Sequence, residues 1–339
     1  MTDRTRTGAA QRGQEERGAA SRGSPRREWA ARSERGSARG RKKARTLTMA
    51  LLGLSLFAAA PAAAQETTSA QKKVIFAPDV SLVAIGGSIT EIVYALGEED
   101  RLVARDTTST YPEAAKALPD VGYMRQLSPE GVLSVNPGGI LSLEGSGPPD
   151  AVQVLKQSEV PYVTIEEGYD RDGVLTKIRE VGEALGAEEK AQTLADQVAG
   201  EFDALEKDTA AVAAPKRVLF LMSMQGGKLL AAGRHTAADA MIRLSGGENA
   251  ISGYEGYKAL SEEAVIDAAP DAILMMAQGA SHGIGTDQVF ANPALAATPA
   301  GETKNLIRMD GLYLLGFGPR AASAARELHQ ALYGAPASN

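Results

Sequence analysis

From about residue 74 onward the chain alternates short apolar runs with stretches of helical period, and this alternation predicts an α/β protein. The runs "LVAIG" (82–86), "RLVARD" (101–106), "GGILSL" (138–143), "YVTIE" (162–166), "RVLFLMS" (217–223), "DAILMMA" (271–277) and "IRMDG" (307–311) read as strands of mostly parallel sheets. Between the fourth and fifth runs, Val174, Ile178, Val181 and Leu185 keep a helical period up to Gly186. Leu194, Val198, Phe202 and Leu205 keep it again after the acidic "AEEK" (187–190), and the pattern dies out before Pro215. A helix of about 20 residues spans about 30 Å, which predicts a rigid strut joining two lobes.

One stretch occurs twice. "LSPEGVLSVNPGGIL" (127–141) returns as "LSEEAVIDAAPDAIL" (260–274), with identities that include Ser128/Ser261, Glu130/Glu263, Val132/Val265 and Pro137/Pro270. Each copy reads as a helix capped by serine, a turn at proline and a buried strand. A repeat on this scale predicts two equivalent units. The expected organisation is an N-terminal lobe over 74–180, a connecting helix over 181–212 and a C-terminal lobe over 213–339. The segment "VAIGGSITEIVYALG" (83–97) lacks the glycine spacing of a dinucleotide loop; Ser88 and Glu91 read instead as a capping box opening an amphipathic helix.

Charge changes the picture at the N-terminus. Residues 1–45 hold 14 basic and 5 acidic side chains in a Gly/Ser/Ala background, a composition that predicts disorder. The basic "RGRKKAR" (39–45), the apolar "LTMALLGLSLFAAA" (47–60) and the small residues Ala62, Ala63 and Ala64 read as a secretory signal peptide cleaved after Ala64. The apolar run is too short for a spanning helix. The remaining 275 residues carry 22 basic and 37 acidic side chains, a net charge of −15 that argues against a nucleic-acid partner. The chain has no cysteine, so it has no disulfide, no thiolate metal site and no lipid-bearing cysteine, and a protein free in the periplasm is expected.

An enzyme is disfavoured: there is no G-x-S-x-G motif, no cysteine nucleophile and no H-E-x-x-H pattern. The three histidines, His235, His282 and His329, are too scattered to suggest a bare transition-metal site. His329 is expected on a solvated helix face and His282 in an exposed glycine-rich loop. Tyr123 and Arg125 stand apart. Phenolate is a hard donor suited to ferric iron, but a phenol with a pKa near 10 needs a neighbouring cation to ionise. Arg125 lies two positions on, which in an extended segment means the same face. On chemistry alone, Tyr123 either ligates a metal or lines a cleft whose arginine pairs with a surface carboxylate.

Four segments together, "IGGSITEIVYALG", "ARDTTSTYPEAAKALPDVGYMRQLSPEGVL", "AAGRHTAADAMIRLSGG" and "LLGFGPR", resemble the periplasmic haem-binding proteins of bacterial haem ABC importers, over residues 74–335. "GYMR" is the most specific element. The resemblance implies a class III substrate-binding fold, two α/β lobes linked by one long helix with ligand in the interlobe cleft. It implies a monomeric carrier, not an enzyme, that captures ferric haem b and delivers it to the permease dimer of an inner-membrane ABC transporter. Tyr123 is then the axial iron ligand and Arg125 lies near the phenolate or a propionate, while Tyr111 is not at the ligand position. Met224 stands where certain relatives carry histidine, as a second axial ligand or as cleft wall. Lys228, Arg234 and Lys258 join Arg125 as candidate cations for the propionates. By their place in the repeat, Glu130 and Glu263 correspond to the glutamates that meet permease arginines. Rival readings are a cobalamin or ferric-siderophore carrier of the same fold, and a periplasmic haem sensor or storage protein.

Overall fold

Two sheets organise the chain. The computed structural model describes residues 74–226, 228–277 and 284–334; the basic extension and signal peptide expected over 1–64, and His282, lie outside these residues. The first lobe runs β1 (Leu82–Ile85), α1 (Gly87–Ala95), β2 (Leu102–Arg105), α2 (Pro129–Leu133), β3 (Gly139–Leu143), α3 (Pro149–Gln157) and β4 (Tyr162–Ile165). Its sheet has the order β2-β1-β3-β4 with every pairing parallel. β1 and β3 are buried along their whole length, as expected of strands that carry no polar face.

Two helices follow, α4 (Arg171–Leu185) and α5 (Glu188–Thr209). The connecting helix expected over 181–212 is therefore α5 alone, and 181–185 ends the helix before it. The break falls at Gly186, whose φ of 68° is left-handed and closes α4, with its N–H turned back to Glu183. The carboxylates Glu188 and Glu189 then open α5 at the positive end of its dipole.

The second lobe runs β5 (Arg217–Gln225), β6 (Lys228–Ala232), α6 (Ala237–Leu244), β7 (Glu248–Asn249), β8 (Tyr257–Leu260), α7 (Glu262–Ala268) and β9 (Ala272–Met276). It continues through the short helices α8 (Thr286–Val289), α9 (Pro293–Ala296) and α10 (Pro299–Thr303) to β10 (Leu306–Met309), α11 (Gly311–Leu315) and α12 (Ala321–Tyr333). The parallel series β7-β5-β9-β10 repeats the order of β2-β1-β3-β4. Against the expected parallel character, this sheet gains two antiparallel strands, β6 and β8. Their sequences "KLLAA" and "YKAL" are short and only partly buried, so they lack the continuous apolar signature that marked the others.

The duplicated segment folds twice in the same way. Ser128 caps α2 by accepting from the Gly131 N–H, and Ser261 caps α7 by accepting from the Ala264 N–H. β3 and β9 follow at equivalent positions. One continuous apolar cluster joins Leu82 and Ile140 of the first sheet, Val198 and Phe202 of α5, and Phe220 and Leu274 of the second sheet. The far face of the second sheet packs a separate cluster around Leu219, Ile273 and Leu295.

Two local expectations fail. Ser88 and Glu91 form no capping box. The N-cap of α1 is Gly86, and its first N–H groups are satisfied from the loop after β2, Gly86 by Asp106 Oδ1 at 3.0 Å and Gly87 by Thr108 Oγ1 at 3.1 Å. With those donors filled from outside, both side chains of the supposed box are buried. His329 is buried rather than solvated, its Nδ1 lying 3.0 Å from the Ser245 carbonyl and its ring 5.0 Å from that of Tyr333. The helix face that carries it packs against the start of the loop leaving α6, which the local polar pattern of α12 did not reveal.

Candidate functional site

The C-terminal ends of the parallel strands of the two sheets face each other. The loop after β4 and helices α1 and α4 of the first lobe meet α11 and the turn at Phe317 of the second. A Cβ on Gly87 would lie 2.7 Å from the Thr108 backbone carbonyl and 2.4 Å from the side chain of Leu312, so glycine lets the loop after β2 close on α1 beside α11. The rings of Tyr169 and Phe317 meet edge-on at 5.2 Å. Below them the fully buried Lys177 of α4 pairs with Glu167 and donates to the Phe317 carbonyl at 3.1 Å.

Tyr123 stands at this junction, 43% exposed. The segment pairs through Asp120 with Arg105 at the end of β2 as a single parallel bridge and then turns, with the Gln126 N–H donating to the Tyr123 carbonyl at 2.8 Å. Tyr123 and Arg125 are thus brought out by a turn and not by the common face of an extended segment. Gly122 enables the turn through a φ of 102° that side-chain-bearing residues rarely adopt. Its N–H donates to Asp120 Oδ1 at 2.8 Å and its carbonyl accepts from Thr107 N–H at 3.0 Å. On the other side, Gly147 N–H donates to the Met124 carbonyl and Leu127 N–H to the Gly147 carbonyl, each at 2.8 Å. The tyrosine is exposed, but its backbone is anchored on both flanks.

Arg125 is also exposed, and its charge reaches phenols of both lobes. Burial pushes the Tyr169 hydroxyl up, with Arg125 drawing it partly back. Burial likewise pushes Tyr257 up, against the pull of hydrogen bonds from Thr236 and Ala238 and of Arg125, and Tyr123 lies close enough to add to the upward shift. Tyr257, on β8, therefore lies near Tyr123 and Arg125 from the opposite lobe. Sequence reading missed Tyr257 and Tyr169, since tyrosines in otherwise ordinary strand and loop segments carry no local signal.

The other candidates are spread over the second lobe. Met224, on β5, is half-buried and packs on the outer cluster of that lobe. Lys228 opens β6, exposed. Arg234 lies 3.6 Å from Glu255, which also draws His235 at 3.7 Å. Lys258 sits 5.2 Å over the ring of Tyr254. Glu130 and Glu263 are each the second residue of their helix, and both are exposed. The Glu263 carboxyl is held below its ordinary range by its own N–H and by the Ser261 hydroxyl. Among the described residues no group of three or more His, Cys, Asp or Glu could hold a metal ion, and no helix is long and apolar enough to cross a membrane.

Comparison with known proteins is decisive at this point: residues 82–312 match the periplasmic binding protein family. The chain belongs to that family. It is 40% identical to a periplasmic haem-binding protein solved in complex with two haems, covering 75% of this chain and 97% of that one at a TM-score of 0.71. It is 27% identical over 255 residues to an uncharacterized ABC transporter substrate-binding lipoprotein of Bacillus subtilis strain 168, covering 74% of this chain and 79% of that protein. It is also 27% identical over 252 residues to a vitamin B12-binding protein of Pectobacterium atrosepticum, covering 73% and 86% respectively. The periplasmic binding protein is thus of the class III fold and is a substrate-binding protein of ABC transporters, a role that implies a cargo and a membrane permease. Its family and structural neighbours are binding proteins, not enzymes.

Proposed function

We propose that this protein is a periplasmic haem carrier, free of a lipid anchor, which captures ferric haem between its lobes and hands it to an inner-membrane ABC permease. The observation that carries the reading is Tyr123, an exposed phenol on an anchored turn between two facing sheet edges, with Arg125 beside it. A phenolate binds ferric iron, and a guanidinium offers a bidentate partner to a propionate. Similarity supports haem over cobalamin, at 40% identity against 27%. Cobalamin also has no use for a phenolate at this position. Met224 is read as packing and not as an axial ligand, since it packs against the second lobe's outer cluster. Lys228, Arg234 and Lys258 are secondary candidates for the propionates, Arg234 already sharing Glu255 with His235. Transport energy comes from the transporter's ATPase, so this chain needs only to bind and release.

Titration of the mature protein with hemin, followed by absorption, tests the assignment. A one-to-one ferric spectrum is expected, and Tyr123→Phe should abolish it, weakening binding by about a hundredfold or more, since even the loss of a partner behind a metal ligand costs about 10–100-fold. An unchanged spectrum and affinity in Tyr123→Phe would sink the assignment. Tight cobalamin binding without hemin binding would establish the rival cargo.

A further inference from the structure

The lobes are tied by a charged contact that cargo capture does not itself require. Arg320, the residue before α12, reaches into the first lobe, where its Nε lies 2.9 Å and its Nη2 2.8 Å from the two carboxylate oxygens of Glu91 on α1. This is the bidentate geometry in which guanidinium and carboxylate bind best. Glu91 is 5% exposed, so the pair is shielded from water on the carboxylate side. The same guanidinium lies between two phenols, 3.5 Å from the ring centre of Tyr111 in the first lobe and 4.9 Å from that of Tyr313 on α11. Arg320 is therefore gripped twice by the opposite lobe and once by its own.

Tyr111 ends the loop that follows β2, and this loop is fastened to the segment bearing Tyr123. Thr107 N–H donates to the Gly122 carbonyl at 3.0 Å. Asp120 Oδ1 accepts from both the Thr107 hydroxyl at 3.1 Å and the Gly122 N–H at 2.8 Å. Thr108 Oγ1 lies 3.9 Å from the sulfur of Met124. At the loop's base the fully buried Asp106 accepts from Thr108 N–H at 2.9 Å, from Thr108 Oγ1 at 2.7 Å and from Ser109 Oγ at 2.7 Å. A loop so internally bonded moves as a unit, so the position of Tyr111 is carried over to Gly122 and Tyr123.

We propose that Arg320 is a positioning residue for the cargo ligand. By stacking on Tyr111 it fixes the 106–111 loop, and through that loop the orientation of Tyr123, so that the set of the two lobes governs how firmly the cargo is held. This rests on Tyr123 as the haem ligand. The alternative is a plain staple between lobes, whose loss lowers stability and changes nothing else.

Tyr111→Leu separates the two, because it removes the stack and leaves the fork between Arg320 and Glu91 in place. Three quantities are measured: the rate of hemin loss to an excess of a haem-scavenging protein, the melting temperature, and amide exchange of Thr107 and Gly122 in the ligand-free chain. Tyr111→Leu should melt within about 2 °C of the parent. It should nonetheless release hemin about threefold to thirtyfold faster and exchange faster at both amides, the range expected of a residue that couples to a site it does not touch. Arg320→Lys keeps the charge, loses the fork and the planar stack, and should move all three readouts in the destabilising direction. Unchanged release and unchanged exchange in Tyr111→Leu, with Arg320→Lys altering melting alone, would leave only the staple and overturn the proposal. If Tyr123→Phe itself binds hemin normally, the cargo reading has failed, and exchange in the ligand-free chain still decides whether Arg320 holds the loop.

Discussion

Lys177 belongs to the largest fully buried side chains of the molecule, and it carries a charge. Burial pushes its ammonium down and pushes the Glu167 carboxyl up, and each partner's opposite charge offsets part of that shift. A buried pair of this kind adds little stability against an apolar replacement, yet breaking it strands one charge. Lys177→Met should therefore cost about 3–5 kcal/mol in urea unfolding, and Lys177→Met with Glu167→Met should recover most of the loss. A single variant as stable as the parent would refute this account. Tyr123 could be singled out in the sequence because its pattern is local, a phenol after glycine with an arginine two places on. Lys177, Glu91 and Arg320 could not. The Phe317 carbonyl that Lys177 meets is 140 residues away and the Arg320 that Glu91 meets is 229 residues away, separations at which no periodic pattern operates. Glu91 was misread for the same reason, as half of a local cap.

Elements announce themselves when their burial is regular. β1, β3, β5 and β9 are continuous apolar runs, and α4 and α5 keep a helical stripe, so sequence periodicity located them all. The duplicated Ser-capped helices were visible because a side-chain cap is a contact within three residues. β6 depends on pairing with β5 across a turn and β8 on pairing with β6, so their existence follows from tertiary context. The start of α5 is held by contacts of the same distant sort. Glu98, just after α1, accepts from Lys190 of α5 at 2.7 Å, and Arg101 lies 3.3 Å from the same carboxylate while donating to the last residue of α4 at 2.9 Å. The hydrogen bond from Lys190 chiefly holds the Glu98 carboxyl below its ordinary value of 4.5, with Arg101 adding to the effect against burial. The unfolded chain therefore takes up this proton more readily than the folded one. The contribution is fully present above 4.5 and is lost as pH falls through the lower folded value. Glu98→Gln should cost about 0.5–1 kcal/mol at about pH 6, and the gap from the parent should close by about pH 3 in denaturant titrations. A gap that widens on acidification would show the sign to be wrong.

At the scale of the whole molecule, the repeat sets two exposed glutamates on equivalent helices, Glu130 on α2 and Glu263 on α7. A carrier that serves a permease dimer has use for one acidic anchor on each lobe, and exposed carboxylates meeting arginines contribute strongly once water is excluded at the interface. Glu130→Ala with Glu263→Ala should reduce haem-dependent growth or uptake at least about tenfold, with each single change intermediate and hemin affinity within about twofold of the parent. Normal uptake by the double variant would favour a sensor or storage role over delivery. The sequence by itself determined what depends on neighbours and on period: the α/β alternation, the long helix and the twin capped helices. Only the tertiary structure decided which charges meet across the lobes, that β6 and β8 enlarge the second sheet, and that Tyr257 lies near Tyr123. Hydrophobic period and capping are written along a few consecutive residues, whereas an interlobe ion pair exists only once two separately legible lobes have packed.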